Sequence, residues 1–320
     1  MRSYFKNRRG GVMALVAVAL PVLLGFSALV TDVGALYLNR TQLSNAADAA
    51  VLAAAQELPK NADDARAVAA VFAAQNGKAT DSVTTVISAD NRTIEVTISR
   101  NVSLFFAPIV GVQNTTVSAT AAAQVNIAAS VPWIVPFVLP KTQAFDYTHQ
   151  FTQRMYNPLK PHGEYEFDYM NVGIKNANFQ DYIDYLKNGY QETFKLGDNM
   201  QYLGASSGGK ASVEAFYDRT VRDANTDYTK AKLGDPRVML VPLVDKMLPR
   251  NTATGTPMKI VGFVGFFLEE VHKGTLQRDG NYGVTFYARG RFLEDLNVGS
   301  GDSTSNPVYD FGVRTIKLIK

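Results

Sequence analysis

The feature that most constrains this chain is an uncharged, mostly apolar segment of twenty residues, Val12–Thr31. At about 1.5 Å per residue, a helix of this length spans roughly 30 Å, the hydrocarbon thickness of a bilayer. Asp32 follows the segment directly, and its N-terminal flank is basic, with Arg2, Lys6, Arg8 and Arg9. The positive-inside rule therefore predicts a single membrane pass, with residues 1–11 as a cytoplasmic tail and everything after Asp32 outside.

Within this predicted anchor (12–31), the residues expected to contact lipid are Val12, Leu15, Val18, Leu20, Pro21, Leu24, Phe26 and Leu29. The alternative is a cleaved secretory signal, which has an apolar core of only about 7–15 residues and a small-x-small exit. The one acceptable exit, Gly25-Phe26-Ser27, lies inside the apolar run, which favours an uncleaved anchor. Both alternatives export the rest of the chain. With the uncleaved anchor we expect a cytoplasmic (inner) membrane protein with periplasmic or extracellular domains.

Composition narrows the chemistry of the exported part. The chain has no cysteine, which excludes disulfides, thiol catalysis and cysteine-ligated metals. Its formal net charge is +3, and leaving out the four basic residues before Val12 gives −1 for the remainder. A nearly neutral exported part has no electrostatic footprint for nucleic acid, so we expect no nucleic-acid partner.

The membrane helix is predicted to continue outward, because residues 32–58 contain no proline. Apolar residues recur there at spacings of three and four, which is typical of one helix face. This apolar stripe consists of Leu43, Ala47, Ala50, Ala54 and Leu58. Its small side chains would let another backbone approach closely. Two interpretations stay open: the stripe is an assembly face for partner helices, or it packs on the protein's own sheet.

Two exported domains are predicted, and the fold class is α+β. The first, residues 32–130, combines the helical extension with a second helix and a small antiparallel sheet. Asn61 is predicted to cap that helix. The residues expected to be buried on it are Ala65, Val68, Val71 and Phe72. The strands of this domain are predicted at Ser82–Ser88, Thr93–Arg100 and from Val117 to Ile127.

The second domain, residues 131–320, is predicted to be β-rich. Its strand-like runs are Glu164–Asn171, Arg237–Val244, Lys259–Glu269 and Asn281–Leu293. A helix is predicted from Ala211 to Arg222.

Two catalytic motifs overlap in this domain. Gly204-Ala205-Ser206-Ser207-Gly208 fits G-x-S-x-G, with Asp245 and His272 following in hydrolase order. Gly204 and Gly209-Lys210 have the spacing of a phosphate loop, but Ala211 replaces its magnesium-binding hydroxyl. Neither motif follows the buried strand that its chemistry needs. We therefore expect no catalytic residue, no cofactor and no metal site.

The N-terminal residues also resemble a known family. The pattern consists of Arg8-Arg9-Gly10-Gly11, an apolar stretch ending in Ala19–Gly25, Asp32-Val33-Gly34, Tyr37-Leu38, Gln42-Leu43 and Asn45–Ala50. It resembles the N-terminal module of TadE/TadG-like proteins of Flp (tight adherence) pilus assembly. This resemblance implies a bacterial envelope protein with a pilin-like helix on its sheet. The partners it implies are membrane lipid, other pilus-assembly or pilin subunits, and further copies of the chain in a homo-oligomer.

One difference from the family's prepilins defines the expected role. Prepilins of this system are cut after a glycine and usually carry Glu five residues later. Here those positions hold Leu15 and Val16, for cuts after Gly10 and Gly11 respectively. The resemblance therefore implies an accessory or minor pilin-like subunit that supports adhesion without catalysis. The alternative is an exported, membrane-anchored enzyme or ligand-binding protein unrelated to pili.

Overall fold

The computed structural model describes residues 8–155, 165–173, 179–204, 209–249, 251–272, 287–299, 301–306 and 309–319. They contain four α-helices: α1 (Arg8–Ala54), α2 (Ala62–Asn76), α3 (Phe179–Asn188) and α4 (Gly209–Arg222). The strands are β1 (Ser82–Ile87), β2 (Thr93–Ser103), β3 (Asn114–Ala128), β4 (Ser130–Pro132), β5 (Phe137–Pro140), β6 (Phe151–Met155), β7 (Glu166–Gly173), β8 (Thr193–Lys195), β9 (Asn199–Tyr202), β10 (Val238–Val244), β11 (Pro257–His272), β12 (Tyr287–Leu293), β13 (Leu296–Asn297), β14 (Ser303–Thr304) and β15 (Val313–Leu318). This content confirms the α+β class.

The chain divides into two compact units. Unit 1 comprises Met1–Gln124 together with Leu318–Lys320, and unit 2 comprises Val125–Lys317. The division falls shortly before residue 130, the predicted end of the first exported domain.

In unit 1, α1 is one continuous helix of 47 residues with Pro21 inside it. A 3₁₀ turn at Ala55–Glu57 follows. The apolar N-terminal segment therefore continues without a break into the extension past Asp32, as the sequence predicts. The extension packs against α2 and β2.

The capped start of α2 is confirmed, but its predicted buried face is partly wrong. The Asn61 side chain accepts hydrogen bonds from the backbone N–H groups of Asp63 and Asp64, both at 3.1 Å. The buried residues of α2 are Ala65, Ala69 and Ala73, whereas Val71 and Phe72 are exposed. α1 contacts α2, and most of its buried residues are alanines, among them Ala46, Ala47 and Ala50, so two alanine-rich helices pack closely. Larger side chains would hold the two backbones apart.

Three antiparallel strands complete unit 1. β1 pairs with β2 from Ser82↔Ser99 to Ile87↔Ile94, and β2 pairs with β3 from Thr93↔Gln124 to Ser103↔Asn114. The alternation of β2 buries Ile94, Val96 and Ile98 on one face, as predicted. The β2–β3 hairpin ends in the loop 104–113, which contains a 3₁₀ turn at Ala107–Val110.

Unit 2 is built around a sheet that closes on itself. Its ring of neighbouring strands is β10-β5-β7-β6-β12-β11, closed by the pairing of β10 with β11, and β9 pairs with both β7 and β11. Every residue of β10 is buried, as expected for a strand covered on both faces. α3 and α4 pack against each other, and α4 lies on β11. The predicted strands correspond to β7, β10, β11 and β12, although Glu164 and residues 281–286 lie outside the described residues. α4 confirms the predicted helix.

Candidate functional site

The apolar segment of α1 is exposed on all sides. Seven of the eight predicted lipid contacts are 53–69% exposed, from Leu20 at the low end to Leu15 and Val18 at the high end. Pro21 is exposed as well. A core helix of a water-soluble protein would bury an apolar stripe. This segment buries none, and α1 is long and apolar enough to cross a membrane.

The hydroxyl groups in this segment are satisfied within the helix. The Ser27 hydroxyl donates to the Leu23 carbonyl oxygen and the Thr31 hydroxyl to the Ser27 carbonyl oxygen, both at 2.9 Å. Because hydrocarbon offers no hydrogen-bond partners, these internal bonds suit an apolar surrounding.

Asp32 marks the end of the segment, and its side chain is buried by the β2–β3 loop. Its carboxylate accepts hydrogen bonds from three successive backbone N–H groups: Phe105 at 2.7 Å, Phe106 at 3.1 Å and Ala107 at 2.8 Å. A carboxylate bound by several N–H groups makes strong, charge-assisted contacts. The loop is thus fastened to α1 at the first charged residue after the apolar segment.

A buried ion pair fixes the same hairpin to α1 further along the helix. The Arg100 guanidinium binds both carboxylate oxygens of Asp81, each at 2.7 Å, and both side chains are at most 4% exposed. It also donates to the side-chain oxygens of Asn39 at 2.8 Å and Gln42 at 3.0 Å. The hydrogen bonds from Arg100 hold the pKa of Asp81 below its usual range. Sequence reasoning identified neither this pair nor the Asp32 junction, since both depend on residues far apart in the chain.

The apolar stripe lies inside unit 1. Leu43, Ala47, Ala50, Ala54 and Leu58 are 0–1% exposed. The first four belong to α1, which packs against α2 and β2, and Leu58 follows the 3₁₀ turn after α1. In this structure the stripe therefore serves internal packing, the second of the two interpretations above. Its role as an assembly face stays a prediction, and a partner would reach it only if this packing opened.

The residues of the two catalytic motifs are not brought together among the described residues. Ser206 lies outside them, and Lys210 is in the first turn of α4. Asp245 forms an ion pair with Lys141, and His272 is exposed at the end of β11. Within the described ranges, no group of three or more His, Cys, Asp or Glu side chains is placed to hold a metal ion.

Unit 2 also has a cleft of about 380 Å³ with basic residues in its lining. Arg219 donates to the carbonyl oxygens of Leu186 at 2.6 Å and Pro236 at 2.8 Å, and Arg222 donates to that of Lys187 at 2.6 Å. Burial lowers the pKa of Arg219 to about 9. These arginines join α4 to the end of α3 and the segment before β10, so the fold itself accounts for them.

The described geometry defines a class: an α+β protein whose first helix presents an exposed apolar segment long enough to span a bilayer and then enters a folded unit. Residues 10–57 match the model of the family described as "Putative Flp pilus-assembly TadE/G-like". The match coincides with α1 and the turn after it, and it confirms the resemblance inferred from the sequence. No curated protein and no solved structure matches the chain.

Proposed function

We propose that this protein is a membrane-anchored, non-catalytic component of Flp/Tad-type pilus assembly, acting as an accessory or minor pilin-like subunit that supports adhesion. The observation that carries the proposal is the coincidence of two features on α1. The segment that matches a pilus-assembly family contains an apolar stretch of membrane-spanning length that the protein leaves exposed.

The proposed orientation has residues 1–11 in the cytoplasm and everything after Asp32 outside. Its support is the basic flank of the apolar segment and the absence of any charge inside it. The proposed lipid contacts are the eight anchor residues named above. The continuous helix beyond Asp32, packed on an antiparallel sheet, supports a pilin-like arrangement of unit 1.

Orientation is tested with alkaline phosphatase, which is active only outside the cytoplasm. A fusion after Lys320 should be active in the full chain, and a fusion after Gly11 should be inactive. Replacing Arg8 and Arg9 by Glu is the matched control, since it removes the flanking charge but keeps the apolar length. Loss of activity from the Lys320 fusion in that variant would support charge-directed insertion. An inactive fusion in the unaltered chain would contradict the proposal.

The assembly role is tested in cells that make the pilus. The full chain, purified in mild detergent, should co-purify with pilus-assembly or pilin subunits. A variant in which an unrelated cleavable signal replaces residues 1–38 is exported without the anchor. It should lose both the co-purification and pilus-dependent attachment. Unchanged attachment, with no pilus subunit recovered from the full chain, would favour the exported enzyme or ligand-binding alternative.

A further inference from the structure

The β2–β3 hairpin ends in a loop that has no charge and exposes large apolar side chains. This apolar tip comprises residues 104–113, and the sequence has no charged residue from 101 to 140. Phe105 is 74% exposed, Phe106 44%, Ile109 84% and Val112 46%. A contiguous patch of exposed apolar side chains marks a site of contact with another protein or with a membrane.

The position of the apolar tip along α1 indicates what it contacts. Arg100 meets α1 at Asn39 and Gln42, whereas the next residues of the hairpin meet it at Asp32. This is a displacement of seven to ten helical residues, or about 10–15 Å toward the apolar segment. The hairpin therefore runs toward the proposed membrane, and its tip lies where the uncharged segment of α1 ends.

Two further observations support the position of the apolar tip at the end of the uncharged segment of α1. The 3₁₀ turn at Ala107–Val110 contacts α1 itself, so the tip does not project away from the helix. Tyr37, which follows Asp32 by about 7.5 Å along the helix, is exposed. Aromatic residues with a polar end are enriched at the boundary between hydrocarbon and water.

From this placement we infer that the apolar tip is a second membrane contact, with Phe105, Phe106, Ile109 and Val112 inserted into the lipid at the outer boundary of the hydrocarbon. Asp32 holds the backbone of the loop at that depth. Its carboxylate satisfies N–H groups of the loop that lipid could not. The occupant of this surface is thus lipid rather than protein. Unit 1 is attached to the bilayer at two points, which restricts its tilt about α1.

The inference rests on the proposed membrane insertion of α1, so its test includes a label inside the anchor. Because the chain has no cysteine, single substitutions give unique sites for a nitroxide spin label. We would label Val22→Cys in the anchor, Ile109→Cys in the tip and Val86→Cys on β1, each in the full chain reconstituted into phosphatidylcholine vesicles. Val86 is the matched control, because it is also an exposed apolar residue (59%) of unit 1. Val86 pairs with Glu95 of β2. Glu95 is eight residues, or about 26 Å, from Ser103, the end of β2 next to the apolar tip.

The measurement is the collision rate of each label with oxygen, which partitions into lipid, and with a water-soluble nickel chelate. Labels at Val22 and Ile109 should collide several-fold more with oxygen relative to nickel than the label at Val86 does. In an Asp32→Ala background the Ile109 label should shift toward the Val86 value, and an unchanged ratio would refute the holding role of Asp32.

Two outcomes would overturn the lipid contact. If the Ile109 label behaves like the Val86 label while the Val22 label reports lipid, the tip is in water although the anchor holds. If the Ile109 label is protected from both reagents, protein covers the tip. A Val22 label in water would instead overturn the membrane anchor itself.

Discussion

Removing Arg100 provides the sharpest energetic test of unit 1. In Arg100→Met the carboxylate of Asp81 remains buried without the two 2.7 Å bonds that compensate its charge. Breaking a buried pair by removing one partner typically costs about 3–5 kcal/mol, because an uncompensated charge stays inside. The substitution also removes the hydrogen bonds from Arg100 to the side-chain oxygens of Asn39 and Gln42. Gln42 is exposed, so water can replace the bond that its oxygen loses.

The assay is hydrogen exchange of β2, followed by mass spectrometry on the full chain in detergent micelles. Because about 1.4 kcal/mol corresponds to a tenfold change in an equilibrium constant, amide protection in β2 should fall by roughly two to nearly four orders of magnitude. Exchange in β10 of unit 2 serves as an internal reference and should stay unchanged. Replacing both partners, as in Asp81→Leu with Arg100→Met, should recover part of the loss, because no buried charge remains.

An exposed ion pair in unit 1 is the matched control, because it separates the effect of burial from the effect of ion pairing. Arg66 and Asp63 form a pair of similar length, 2.8 Å, but their side chains are 50% and 94% exposed. Exposed pairs contribute about 0–1 kcal/mol, so Arg66→Met should change β2 exchange by less than tenfold. If Arg100→Met has no larger effect than Arg66→Met, then desolvation of the Asp81 charge does not govern the stability of unit 1.

Three further predictions concern packing, pH and chemistry. Ala50→Leu, in the buried stripe, should destabilise unit 1 by about 1–3 kcal/mol in urea unfolding, because the added side chain overpacks the site. Ala70→Leu, at an exposed position of α2, should be nearly neutral. Equal effects of the two substitutions would contradict internal packing of the stripe. Because bonding to Arg100 lowers the pKa of Asp81, the folded unit binds this proton less readily than the unfolded chain. The stability from this group is thus present above pH ~4 and declines as pH falls below it. Urea midpoints should show this decline, and Asp81→Asn should make it smaller. Ser206→Ala and Lys210→Ala should leave pilus-dependent attachment unchanged, and covalent labelling of Ser206 by a fluorophosphonate would refute the non-catalytic assignment.

The features that follow from local pattern could be predicted from the sequence. The length and charge flanks of the apolar segment, the alternation of Ile94, Val96 and Ile98, and the cap at Asn61 each depend on neighbours in the chain. They are decided by segment length, helix and strand periodicity, and local capping. The long helix and the first hairpin were therefore predicted close to their actual bounds.

The rest depends on contacts between distant residues. Hydrophobicity predicted that Val71 and Phe72 are buried, but the close approach of α2 to α1 selects Ala65, Ala69 and Ala73 instead. The closure of the unit 2 sheet brings β6 beside β12, more than a hundred residues later, and no local pattern indicates that pairing. The same holds for the candidate site, since Asp32 gives no sign in the sequence that it binds the backbone of residues 105–107.

The grouping of Leu318–Lys320 with unit 1 makes unit 2 an insertion within unit 1. After unit 2, unit 1 contributes only Leu318–Lys320, where the Ile319 N–H donates to the Ala122 carbonyl oxygen at 2.9 Å. Because the chain is linear, the covalent path from unit 2 to α1 runs through Gln124–Val125 alone. A single protease cut at that connection ends the covalent attachment of unit 2 to the apolar segment of α1, whereas a cut at Lys317–Leu318 leaves it intact.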